Sequence, residues 1–91
     1  MSVTFEIPAP LWRFTNGQST VVVEGEDVQT MLNNVWQQFP ELKTRVLTSD
    51  GKLFPYLLLF QNGEKLPREE FASIPLTDGD RLELVGLAEG G

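Results

Sequence analysis

Ninety-one residues, 41% hydrophobic and 22% charged, suffice for one compact domain around a single core and exclude two. Seven Lys and Arg against thirteen Asp and Glu leave a net charge of −6, which opposes nucleic acid or an anionic membrane as partner, since no counterion release would favour either. The absence of Cys and His removes disulfides, thiolate nucleophiles, cysteine zinc sites and the side chain that most often moves protons near neutral pH. Val3, Phe5 and Ile7 alternate with Ser2, Thr4 and Glu6, the pattern of a strand with one buried face that ends at Pro8. Pro8-Ala9-Pro10 forbids continuation of a ladder, and the residues up to Asn16-Gly17 read as a long hairpin loop. Residues 18–24, centred on Thr20-Val21-Val22-Val23, read as the second strand.

Asp27 is suited to cap a helix, because its carboxylate reaches the free amides of the first turn and complements the positive end of the dipole. Val28, Met31, Leu32, Val35, Trp36 and Phe39 then form one stripe at the ~3.6-residue period, opposite Gln29, Asn33, Asn34, Gln37 and Gln38. Pro40 stops that helix or starts a short second one through Glu41, Leu42, Lys43, Val46 and Leu47, and residues 40–54 read as a loop with one helical turn. Residues 54–61 hold the apolar run Tyr56-Leu57-Leu58-Leu59-Phe60, a strand apolar on both faces. Asn62-Gly63 supplies a tight turn into a short strand at residues 64–66, residues 69–73 allow a helical turn, and Asp78-Gly79-Asp80 leads into the alternating strand of residues 81–85. Two hairpins around one amphipathic helix predict an α+β, ubiquitin-like β-grasp fold, a mixed four- to five-stranded sheet packed on one main helix.

Residues 1–85 therefore read as the domain and residues 86–91 as a flexible tail ending in Gly90-Gly91. By itself a diglycine end also suits a frayed terminus. Its functional reading is that a segment without Cβ atoms passes through a narrow channel and presents a bare carboxylate, ionised above ~3.5 and able to attack the α-phosphorus of ATP held by another enzyme.

The β-grasp order, the Asn62-Gly63-Glu64 turn, the Leu76-Thr77-Asp78-Gly79-Asp80 approach to the last strand and the terminal Gly90-Gly91 together resemble the bacterial sulfur-carrier family. That family includes the small subunit of molybdopterin synthase, the thiamine sulfur carrier and the carrier of a cysteine-synthesis route. The resemblance implies that an E1-like adenylyltransferase consumes ATP to adenylate Gly91, which becomes a thiocarboxylate, and that Gly90 gives it access. A sulfur-accepting biosynthetic enzyme would be the second partner. The implied chain is a cytoplasmic co-substrate, not an enzyme, with no bound cofactor, metal or small-molecule site. The length of residues 40–54 favours the molybdopterin or cysteine branch over thiamine. Transfer of the same adenylate to lysines, as in ubiquitin-like modifiers, is the alternative, followed by a passive interaction domain and by a small hydrolase using Asp78 and Asp80.

A docking surface is also expected. Alternation sends one parity of the 56–60 run towards the helix and leaves the other uncovered, so either Leu57 with Leu59 or Leu58 with Phe60 should join strand residues such as Leu82 and Leu84 in a partner-facing patch. Lys52, Lys65 and Arg68 are expected outside it.

Overall fold

The alternation at the start of the chain sets the first strand of the computed structural model, which describes residues 1–86. β1 (Ser2–Glu6) buries Val3 and Phe5, and β2 (Thr20–Glu24) pairs with it antiparallel, placing Val23 and Val21 opposite them. The connection is more ordered than an open loop. Pro8 ends the strand and also caps a 3₁₀ helix (Ala9–Phe14), since proline's fixed φ suits a helix start as well as it prevents a ladder. Thr15 closes it from a fully buried position, its single hydroxyl proton directed to the Gln18 carbonyl at 2.7 Å, with the Trp12 carbonyl also near the oxygen at 3.1 Å.

α1 (Val28–Gln38) starts as read: the Asp27 carboxylate accepts the Thr30 N–H at 2.7 Å, and Val28, Met31, Leu32, Val35 and Trp36 are buried. Gly25 makes the approach possible, because a Cβ there would stand 2.7 Å from the Met31 backbone. Of the two readings of Pro40, the short second helix is the one formed: α2 (Pro40–Val46) exceeds the single turn expected in a loop. Its short length gives little intrinsic helicity, but burial of Leu42 and Val46 against the core supplies what propensity does not.

The apolar run yields β3 (Leu57–Gln61), which begins three residues later than the pattern suggests because residues 54–57 turn, with Leu57 N–H donating to Phe54 at 2.9 Å. Asn62 (φ 50°) and Gly63 (φ 89°) both adopt positive φ, as a type I′ turn requires, and return the chain as β4 (Glu64–Lys65). The later helical turn is a single 3₁₀ turn, Phe71–Ser73. β5 (Arg81–Gly86) extends one residue beyond the alternating pattern, so Gly86, read as tail, lies in the sheet opposite Leu57. The five-stranded sheet has the order β2-β1-β5-β3-β4, with β5 in the middle, parallel to β1 and antiparallel to β3. The result is the β-grasp: α1 fills one face of a mixed sheet. Arg68 fastens the turn before β3, its guanidinium donating to the carbonyls of Leu53, Phe54, Pro55 and Leu57.

Candidate functional site

The two ends of β5 are built differently. At its start, Asp80 accepts the Thr77 N–H at 2.8 Å, the Gln61 amide at 3.1 Å and the Asn62 amide at 3.0 Å. The hydrogen bond from the Thr77 backbone, then that from Asn62, holds the Asp80 carboxyl below its ordinary pKa. Asn62 completes the link by accepting the Arg81 N–H at 2.9 Å through its side chain. Asp78 accepts the Ser2 N–H at 2.8 Å. Both aspartates are thereby engaged in fastening turns, which accounts for them without catalysis. Among the described residues, no three His, Cys, Asp or Glu are grouped to hold a metal ion.

The far end of β5 presents apolar surface instead. Leu58 lies opposite Val85 and Phe60 opposite Glu83, and all four are half-buried on the sheet face that α1 does not cover. Leu57, Leu59, Leu82 and Leu84 have the other parity and are at most 3% exposed beneath α1. This corrects the expected docking set: those four leucines are core, because alternation along the strand fixes their face regardless of how apolar their neighbours are. Leu58 and Phe60 remain candidates. Lys65 is corrected in the other direction, since its register position opposite Phe60 puts it on the uncovered face.

Two aromatic residues outside the expected set flank Gly86. Trp12 is 37% exposed, donates its indole N–H to the Ile7 carbonyl at 2.6 Å, and lines a 540 Å³ cleft with Pro8, Thr20, Val85 and Gly86. Tyr56, 50% exposed and stacked on Phe54 at 5.5 Å, precedes the residue opposite Gly86. A large aromatic side chain between two turn signals was the available clue to Trp12; Tyr56 was hidden by being counted as part of the strand. Gly90 and Gly91 lie outside the described residues. A separate 470 Å³ cavity between α1 and the loops is lined by residues including Leu32, Trp36, Leu53, Arg68 and Phe71.

Sheet order, a single main helix and a central last strand together define a ubiquitin-like β-grasp domain. The chain belongs to the ThiS family, whose model matches residues 5–91. It is 25% identical over 93 aligned positions, covering all of both chains, to the sulfur carrier protein CysO of Mycobacterium tuberculosis. Among solved structures it resembles a chain of the Amycolatopsis orientalis BexX/CysO complex, with TM-score 0.84 and 27% identity over 98% of this chain and 99% of that one. It also resembles SAMP1, a small archaeal modifier protein, from Haloferax volcanii, with TM-score 0.84 and 26% identity over the whole of both chains. None of the helices among the described residues is long and apolar enough to cross a membrane.

Proposed function

We propose that this chain is a sulfur carrier whose Gly91 carboxylate is activated by an ATP-dependent, E1-like adenylyltransferase. The carboxylate attacks the α-phosphorus of ATP, forming an acyl-adenylate and releasing pyrophosphate; sulfide then displaces AMP and leaves a thiocarboxylate. The observation that carries the reading is a family match that runs through Gly91, together with full-length similarity to a sulfur carrier. The chain contributes an acyl group and a docking surface, acting as co-substrate. Similarity to CysO favours delivery of the sulfur to a cysteine-type biosynthetic enzyme over the molybdopterin and thiamine routes.

Leu58, Phe60 and Val85, with Trp12 and Tyr56 beside Gly86, form the surface we assign to partner docking. It adjoins the strand that delivers residues 87–91, so a partner seated there has the carboxylate within reach of its active site.

Incubation with the E1-like enzyme of the source organism, ATP and sulfide should raise the intact mass by the difference between sulfur and oxygen. Unmodified protein under conditions that convert a known carrier overturns the reading. Gly90→Val should abolish adenylation by narrowing passage through the partner's channel, with melting temperature unchanged. Resemblance to SAMP1 supports a second reading, conjugation to lysines, which would instead appear as higher-mass adducts joined through Gly91 on denaturing gels of source-cell lysate.

A further inference from the structure

The two edges of the sheet are guarded unequally. β4 forms one edge and consists of two charged residues, a short strand of the kind that discourages pairing. β2 forms the other and carries Thr20-Val21-Val22-Val23-Glu24, without lysine or proline and with Val22 69% exposed.

Its hydrogen-bonding groups are oriented for a further strand. Ile7 N–H donates to Ser19 at 2.8 Å and Gly25 N–H to Met1 at 2.9 Å, so the residues turned towards β1 are 19, 21, 23 and 25. Antiparallel alternation turns the N–H and C=O groups of Thr20, Val22 and Glu24 towards the open edge. Among the described residues one side chain meets them, the Asn34 amide, which donates to the Glu24 carbonyl at 2.8 Å.

We infer that the free edge of β2 is a second interaction site, independent of the sulfur-carrier reading, and that it takes an extended segment of a partner protein carrying basic residues. Glu24 and Glu26 are exposed at the end of the edge, in a chain of net charge −6. Glu24 also faces the Met1 amine at 3.5 Å, and a lysine of the partner competes for that carboxylate. Alternate side chains of the incoming strand fall beside Val22 and over the groove where Asn34, Gln37 and Gln38 of α1 face β2. The first set suits β-branched apolar residues and the second suits hydroxyl or amide residues. A second copy of the chain would bring another −6 to the same edge, which disfavours self-pairing.

The test uses the full chain, ¹⁵N-labelled, titrated with a blocked peptide of alternating valine and threonine that has lysine at both ends. Saturable shifts and slowed hydrogen exchange should appear at the Thr20, Val22 and Glu24 amides, with Val21 and Val23 already protected before peptide is added. The same peptide with glutamate ends should bind roughly tenfold more weakly. Val22→Pro removes an edge donor that the β1 ladder does not use and should abolish the shifts; Val22→Lys, which leaves the backbone intact, should weaken binding of the lysine peptide and serves where the proline variant does not fold. Shifts elsewhere or none, equal binding of both peptides, or concentration-dependent self-association through residues 20–24 without peptide each overturns the proposal, the last by making a second copy the occupant.

Discussion

The two faces of the β3–β5 pair share one stretch of sequence and differ in their exposure to solvent. Beneath α1, Leu57, Leu59, Leu82 and Leu84 are closed off from solvent; on the other face Leu58, Phe60, Glu83 and Val85 remain half-accessible. Composition does not distinguish Leu57 from Leu58. Parity does, and parity holds only while the strand register is fixed. Register here depends on the Asn62-Gly63 turn and on the Asp80 hydrogen bonds, since a slip by one residue would exchange the faces.

The largest effect should come from the inner face. Leu82→Ala should cost about 3–5 kcal/mol in a urea titration, because its side chain is fully buried and leaves a cavity among packed neighbours. A cost below about 1 kcal/mol would show that the inner face is looser than its burial implies. Next comes the device that keeps the faces apart. Asn62→Ala removes a residue suited to positive φ together with side-chain bonds to Asp80 and Arg81, and should cost about 2–3 kcal/mol. Asn62→Gly should recover part of that loss by restoring the backbone conformation alone.

Acid should weaken the same device by a smaller amount. A carboxyl whose folded-state pKa is depressed contributes stability above its ordinary value, and that stability is lost as pH falls through the lower folded-state value. Between about pH 5 and about pH 2, Asp80→Asn should therefore lose less stability than the parent chain, with the two urea midpoints converging at the acid end. Parallel curves would remove Asp80 from the account.

The smallest effect on stability belongs to the outer face. Leu58→Ser and Val85→Ser should each change unfolding free energy by less than about 1 kcal/mol, yet weaken binding to the proposed activating enzyme about tenfold, which surface plasmon resonance would measure. Unchanged binding would detach the apolar outer face from partner docking.

The elements set by local periodicity were readable in advance. The α1 stripe, the Asp27 cap and the Asn62-Gly63 turn each have a cause within a few residues, and the β-grasp followed from their order. What could not be read depends on distant partners. The sequence leaves α2 open between a short helix and a loop, and burial of Leu42 and Val46 against the core decides for the helix. The face taken by Leu58 is fixed by pairing with Val85, 27 residues away in sequence (85 − 58). Trp12 reads from sequence as part of a loop, and its position beside Gly86 emerges only when β5 lies next to β1. At the site, the diglycine is a reading of the sequence alone, outside the described residues, while the surface beside Gly86 required the register.

The central place of β5 orders events during synthesis. Thr4 of the first strand is paired with Arg81 of the last, so a ribosome that has made β1, β2, α1, β3 and β4 has produced two hairpins with no strand to join them. Contacts of such long sequence separation form late, after the loop entropy between them has been overcome. The strand that completes the sheet is also the one that precedes residues 87–91, so an unfinished polypeptide has neither the assembled outer face nor the residues to which the proposed function assigns activation. Under the sulfur-carrier proposal, completion of the sheet and synthesis of Gly91 would coincide, so that incomplete chains would be screened out before activation.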